Sequence, residues 1–302
     1  MKNIKKALII AAAAIWGGVI VFGITRIYKY WQDNIRTPDV PLYPTELVYK
    51  DINDKYIRFD VYRPNDTLSA YKTILYIHGG TWIMGTKRKI QDYYRYTAIK
   101  TLLENNIQVI SLDYRLINLR GNSMELCIQD CYDAYLYCLE NAQYLKVDTT
   151  KIGLWGSSAG AHLAMMSYLF GKCPSNIKLI IDDFGPTDLS QMWGVFPGWI
   201  RRLGCSFFFH IPFGELKDYD AAAKKASPLY YAEQLSRVPI LISHGEKDPV
   251  VKCKQSKWLH DSLPNTTELW LYPGLKHGFK TMDSTEINLY TQRVMNFVNK
   301  NL

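Results

Sequence analysis

Eight short apolar runs, most of them separated by longer helix-compatible stretches, constrain this chain more than any other feature. The first two, Glu46–Ile52 and Ile57–Tyr62, flank an Asn53-Asp54 turn signal. The others are Thr73–Ile77, Ile107–Leu112, Ile152–Trp155, Ile177–Ile181, Pro239–Ser243 and Glu268–Tyr272. Continuous apolar runs of this length suit strands buried on both faces, and helical crossovers between them imply parallel pairing. The expected fold class is therefore α/β, with a doubly wound, mostly parallel sheet. After a Pro-punctuated linker at 37–44, no second domain boundary and no internal repeat interrupts the pattern. A single domain over 45–302 follows, and 48% hydrophobic residues are enough to fill its core.

One connection is too long for this rhythm. From Gly185 to about Ala226 the chain is rich in aromatic residues, including Trp193, Phe196, Trp199, Phe207, Phe208, Phe209 and Tyr219. Long connections in compact domains are commonly functional or carry their own secondary structure. The segment at about 187–226 reads as a cap over the carboxyl edge of the sheet, with core packing of an inserted helix as the plainer alternative.

The formal charge of +8 points to an anionic partner only until it is divided along the chain. Lys2, Lys5, Lys6, Arg26, Lys29 and Arg36 stand against the single acid Asp33 in the first 36 residues, leaving 30 basic and 27 acidic groups elsewhere. No basic stripe remains, so nucleic-acid binding is not indicated. The uncharged run Ala7–Ile24 would span roughly 27 Å as a helix, about one bilayer core. Tyr28, Tyr30 and Trp31 beside Arg26 and Lys29 suit a headgroup interface. Residues 1–36 thus read as a transmembrane anchor with a juxtamembrane segment, using the lipid bilayer as partner through residues 7–24. A cleaved signal peptide is the competing reading, although the alanines at 11–14 come early for a cleavage site. The flanking charges favour the amino terminus inside, which places the domain outside the cytoplasm.

Four local motifs carry chemistry. Gly156-Ser157-Ser158-Ala159-Gly160 lies between the strand at 152–155 and a helix-compatible stretch. Such a strand–turn–helix junction can expose Ser158 as a nucleophile. His78-Gly79-Gly80-Thr81-Trp82 directly follows the strand at 73–77, and its glycines let backbone N–H groups approach a developing oxyanion. Gly80, Thr81 and Ala159 are the expected donors, with His78 bracing the loop. Asp248, in Gly245-Glu246-Lys247-Asp248-Pro249, follows the strand at 239–243 and is the expected acid, with Asp183 as runner-up. His277 comes after both that acid and the last strand, in a loop that can deliver a base. Of the other histidines, His162 reads as packing or capping the elbow helix, His210 as part of the cap, and His244 and His260 as ordinary structural residues. Trp82, Trp193 and Trp199 are candidate substrate contacts. Cys127, Cys131 and Cys138 share a helix face and read as buried small residues, while Cys173, Cys205 and Cys253 lack metal-site spacing.

These pieces, in this order, resemble the α/β-hydrolase superfamily over residues 45–300. Within it, His78-Gly79-Gly80-Thr81-Trp82 and Ser158-Ala159-Gly160-Ala161-His162-Leu163 are similar to the branch of feruloyl- and acetyl-esterase-like enzymes, kynurenine formamidases and isoprenylcysteine methylesterases. Asp113-Tyr114-Arg115 and Ala226-Ser227-Pro228 are similar to this branch and to the hormone-sensitive-lipase group. Thr81 stands where a third glycine is often found, which keeps the N–H but narrows its conformations. The resemblance implies a serine carboxylesterase for small, aromatic or carbohydrate-linked esters, working without metal or organic cofactor. Aryl-formamidase or peptidase activity on the same three side chains is an alternative. So is a catalytically silent interaction protein.

Overall fold

In the computed structural model, residues 42–65, 67–193, 204, 206–210 and 216–302 are described, and they fall within one compact unit, Pro38–Leu302. All eight expected strands are present: β1 (Thr45–Ile52), β2 (Lys55–Tyr62), β3 (Tyr71–Ile77), β4 (Ile107–Leu112), β5 (Val147–Ser157), β6 (Ile177–Asp183), β7 (Ile240–Gly245) and β8 (Thr267–Tyr272). They form one sheet in the order β1-β2-β4-β3-β5-β6-β7-β8. β1, β2 and β4 pair antiparallel, and every pairing from β4 through β3 to β8 is parallel.

The principal helices are α1 (Tyr93–Glu104), α2 (Met124–Glu140), α3 (Ala159–Phe170), α4 (Leu189–Trp193), α5 (Leu216–Lys225), α6 (Lys254–Ser262) and α7 (Ser284–Asn301). Strand alternation divides the core into two layers. Leu75, Ile77, Leu154 and Ile180 face a layer that holds Ile128 and Cys131 of α2 and Leu163 of α3. Ile74, Tyr76, Trp155 and Ile181 face the other, with Leu102 of α1 and Tyr290, Val294 and Val298 of α7. Asp283 starts α7 with a capping box: its carboxylate accepts from the Glu286 amide at 2.8 Å, and Glu286 accepts from the Asp283 amide at 2.9 Å. Cys127, Cys131 and Cys138 are free and buried in the first layer, and burial pushes the Cys138 thiol up to about 12.

The segment assigned to the linker ends on the domain, because Leu42 N–H donates to Gln91 Oε1 at 3.1 Å and Leu42 O accepts from Gln91 Nε2 at 2.9 Å. The expected anchor, Ala7–Ile24, lies outside the described residues; among the described residues no helix is long and apolar enough to cross a membrane. The long connection after β6 carries α4, a helical stretch at 206–209, and α5. Both of its stems are tied down. Thr187 and Asp188 donate their amides to Gln255 Oε1 at 2.9 and 2.6 Å, and Leu189 N–H donates to Ser227 Oγ at 2.8 Å.

Candidate active site

The carboxyl ends of β3, β5, β6 and β7 converge on Ser158. It sits between β5 and α3 at φ 53°, ψ −121°, a conformation L-residues rarely adopt, which costs about 1–3 kcal/mol and persists only where the surroundings enforce it. Two glycines and one hydrogen bond do so. A Cβ on Gly156 would lie 2.2 Å from the Gly160 carbonyl oxygen, and one on Gly160 would lie 2.0 Å from that of Ile77, so neither position admits a side chain. The Ser158 amide donates to the Asp183 carbonyl at 2.7 Å, fixing the turn to the end of β6.

His277 bridges two of the other expected residues. Its Nε2 lies 3.0 Å from Ser158 Oγ and its Nδ1 2.6 Å from Asp248 Oδ2. An ionised carboxylate can only accept, so Nδ1 carries the proton and Nε2 is left to accept from the serine hydroxyl. All three side chains are nearly buried, at 5% exposed for Ser158, 7% for His277 and 3% for Asp248. Burial raises the Asp248 carboxyl, but the neighbouring His244 and His277 imidazoles outweigh it and hold the group well below the usual carboxylate range. Its Oδ1 accepts from the amides of Val250 at 2.7 Å and Val251 at 2.9 Å.

The His78–Trp82 loop lies against the elbow: a Cβ on Gly79 would meet Ser158 Cβ at 3.2 Å. Gly80, Thr81 and Trp82 all have positive φ, at 130°, 51° and 60°. For Thr81, whose side chain branches at Cβ, this is genuine strain. No acceptor among the described residues takes the amides of Gly80, Thr81 or Ala159. The loop is braced from behind, as His78 stacks on Tyr114 at 4.4 Å and the Tyr114 hydroxyl donates to His78 O at 3.0 Å. Burial pushes His78 down to about 4, so it is neutral at pH 7. Arg115, the third residue of the Asp113-Tyr114-Arg115 motif, grips Asp130 with Nε and Nη2 at 2.7 and 2.6 Å.

Trp82, expected at the substrate surface, is placed differently. It is 1% exposed; its Nε1 donates to His162 Nδ1 at 3.2 Å, and its ring meets Phe208 edge-on at 5.7 Å. His162 in turn donates from Nε2 to Ala226 O at 2.6 Å. The pair therefore joins the loop, the elbow helix and the end of the insertion, and Trp82 has no surface to offer a substrate. Trp193 ends α4 with its side chain outside the description, and Trp199 lies outside the described residues. Asp183, the runner-up acid, does not approach His277 in hydrogen-bond reach. It is held by Trp155 Nε1 at 2.9 Å and by the Tyr290 hydroxyl at 2.8 Å.

Two groups of residues escaped the sequence reading. His244 packs beside Asp248, with Nε2 3.3 Å from Oδ2. The available signal was its place on the same strand end, four residues ahead of the acid. Beneath the elbow, Arg95 donates to the Tyr94 hydroxyl at 2.6 Å and to Ser157 Oγ at 3.2 Å, and Tyr76 shares Ser157 Oγ at 3.1 Å. No local pattern marked these, because the network joins α1, β3, β5 and β6.

A mostly parallel sheet of this order, a strained serine between β5 and α3, and a histidine reaching it from beyond β8 define an esterase-type member of the α/β-hydrolase superfamily. The chain belongs to the BD-FAE family, whose model matches residues 59–263. It is 25% identical to an AB hydrolase superfamily protein of Schizosaccharomyces pombe over 74% of this chain and 68% of that one. It is 26% identical to the isoprenylcysteine alpha-carbonyl methylesterase of Arabidopsis thaliana over 73% of this chain, and spans about half, 53%, of that protein. Among solved structures, the propionate-bound thermophilic esterase of Thermogutta terrifontis superposes with a TM-score of 0.65 at 20% identity, covering 86% of this chain and 96% of that one.

Proposed function

We propose that the protein hydrolyses carboxylic esters by a two-step acyl transfer with Ser158 as nucleophile, His277 as base and Asp248 as its orienting acid. The observation that carries this reading is the double reach of His277, 3.0 Å to Ser158 Oγ and 2.6 Å to Asp248 Oδ2. Ser158 Oγ attacks the ester carbonyl carbon while its proton passes to His277 Nε2, and Asp248 stabilises the resulting imidazolium. The amides of Gly80, Thr81 and Ala159, with no acceptor among the described residues, are the groups to receive the oxyanion. The alcohol departs with the proton from His277. Water then adds to the acyl-serine by the same base, releasing the carboxylic acid and restoring the serine hydroxyl.

The substrates we propose are small, aromatic or carbohydrate-linked esters, acted on by an enzyme anchored through Ala7–Ile24 with its domain outside the cytoplasm. The test is fluorophosphonate labelling of the detergent-solubilised full chain, followed by a screen of p-nitrophenyl esters, acetylated sugars, feruloyl esters and N-formylkynurenine. Labelling that disappears in Ser158→Ala supports the reading; equal labelling of the variant rejects it. Turnover of N-formylkynurenine without turnover of any ester would move the proposal to the formamidase branch.

A further inference from the structure

A second histidine packs against the acid at the same carboxylate oxygen that His277 uses. His244 is the penultimate residue of β7 and is fully buried. Its Nε2 lies 2.8 Å from Val251 O and 3.3 Å from Asp248 Oδ2, and its Nδ1 lies 2.7 Å from Ser256 Oγ on α6. Neither Val251 O nor an ionised Asp248 oxygen carries a proton, so His244 Nε2 must be the donor. The Ser256 hydroxyl can donate to Nδ1, which makes it a lock on that tautomer.

The Asp248 carboxylate then has three hydrogen-bond donors and one further imidazole packed against it. Oδ1 takes the amides of Val250 and Val251 and Oδ2 takes His277 Nδ1, while His244 Nε2, whose N–H is given to Val251 O, lies 3.3 Å from Oδ2. Backbone contacts on Oδ1 alone leave Oδ2 free to swing about that fixed oxygen. The His244 imidazole, packed 3.3 Å from Oδ2, supplies the second fixed point, and by donating to Val251 O it ties the turn that carries Asp248 to β7. The ring of Phe184 meets both imidazoles edge-on, at 6.4 Å for His244 and 4.9 Å for His277. The charged and titratable groups facing His244 are Asp248 from the turn, His277 through that carboxylate and Asp182 from β6, with the Ser256 hydroxyl from α6.

We infer that His244, locked by Ser256, is a positioning residue that aims Asp248 Oδ2 at His277. The inference rests on the relay proposed above. A histidine that merely fills the core predicts a stability loss and nothing more. A positioning histidine sets how strongly Asp248 stabilises the His277 imidazolium, and so affects both turnover and the pH at which the base becomes protonated.

The experiment measures kcat, KM and the pH profile of kcat/KM for the solubilised full chain on a p-nitrophenyl ester. In His244→Phe, which keeps an aromatic ring and loses the N–H, kcat is expected to fall about 10- to 100-fold with KM within about twofold. The acid limb is expected to move down by about half a pH unit or more, as the imidazolium loses its partner. His244→Gln, whose amide nitrogen can reach the place of Nε2, is expected to recover most of the kcat and the limb. An unchanged kcat, or a limb that stays or moves up, overturns the inference. So does a glutamine variant no better than the phenylalanine one. If His244→Phe does not fold, Ser256→Ala carries the test, with about a threefold fall in kcat and a limb shift of the same sign expected, and no change in either overturning it. Fluorophosphonate labelling separates the two readings. A wild-type chain that does not label at Ser158 rejects the relay itself, whereas a labelled wild type with a fully active His244→Phe rejects only the positioning role.

Discussion

Two buried aspartates stand at the carboxyl ends of adjacent strands, and their surroundings drive them in opposite directions. Asp183 ends β6 and accepts from the Trp155 indole, the Tyr290 and Tyr94 hydroxyls and Ser157 Oγ. Those neutral donors and the Arg95 charge offset its burial only in part, and its carboxyl is pushed up to about 6. Asp248, in the turn after β7, is also raised by burial, but two imidazoles that can take up charge more than reverse the effect. Arg95 spends its own donors on the Tyr94 hydroxyl, Ser157, Lys89 O and Asp92 rather than on Asp183 directly. The number of hydrogen bonds does not decide which acid stays ionised; whether the donors can carry charge does. An acid that must stabilise an imidazolium has to remain an anion throughout the working pH range, and only the Asp248 surroundings ensure that.

The sharpest way to break this comparison is to exchange each acid for its amide. In Asp248→Asn the side-chain amide can donate to His277 Nδ1, which turns a hydrogen on Nε2 toward Ser158, and kcat is expected to fall about 10⁴-fold. In Asp183→Asn the main-chain bond from Ser158 N–H to residue 183 is retained, and kcat is expected to stay within about tenfold. Steady-state kinetics on both folded variants decides. A comparable collapse in Asp183→Asn would transfer the acid's role to β6.

The next effect is on stability. Arg95 is nearly buried, and its charge lies near Asp183, so Arg95→Met leaves that carboxylate facing only neutral groups. A loss of about 3–5 kcal/mol is expected from urea unfolding, with part of it recovered when Asp183→Asn is added. Additive losses would mean that the two residues do not share a network.

Much of this arrangement was legible in the sequence, where the signal is local. Ile107–Leu112 is an unbroken apolar run and appears as β4 with the same bounds. The apolar run marks β5 only from Ile152, whereas the strand begins at Val147, because the polar Asp148, Thr149 and Thr150 mask it there. The placement of β4 between β2 and β3 depends on long-range pairing that no window of residues carries. The same limit applied at the site. Ser158, Asp248 and His277 each sit in a loop directly after a strand, so order along the chain pointed to them. The partners of His244 and Asp183 come from other elements, so residue type alone suggested a structural histidine and a spare acid. Trp82 looked like a surface aromatic beside a glycine loop, whereas its contacts with His162 and Phe208 bury it.

The two acids should also separate in the pH dependence of stability. Asp183 is fully buried and its folded value of about 6 lies above the unfolded 3.8, so the native state holds its proton more tightly. That contribution is complete below about pH 4 and is lost as pH rises through 6, by about 3 kcal/mol for a shift of about two units. Asp182, pushed up to about 7 chiefly by burial, acts in the same direction. Asp248, held low, contributes stability above its unfolded value that is lost only at pH below it. Urea midpoints of the wild type are therefore expected to fall between pH 4 and 6 more steeply than those of Asp183→Asn, and parallel curves would contradict the assignment.

The smallest effect tests one of the long donors in the Asp183 network. The Tyr94 hydroxyl accepts from Arg95 at 2.6 Å and donates to Asp183 Oδ2 at 3.3 Å, while its ring packs edge-on against Phe279 at 5.3 Å and Tyr290 at 5.1 Å. Tyr94→Phe keeps the ring and removes one long donor from the carboxylate, together with the hydroxyl that Arg95 uses as acceptor. A stability loss of about 1 kcal/mol is expected at neutral pH. With one donor fewer, the Asp183 carboxyl rises further, so the pH window in which stability falls moves upward, whereas losing a bystander would leave it unmoved. Ser158 keeps its main-chain bond to Asp183, and kcat should remain within about twofold. A tenfold fall in kcat with an unmoved stability window would mean that the tyrosine network sets the elbow rather than the ionisation of Asp183, and the contrast between the two acids would then lie in geometry instead of charge.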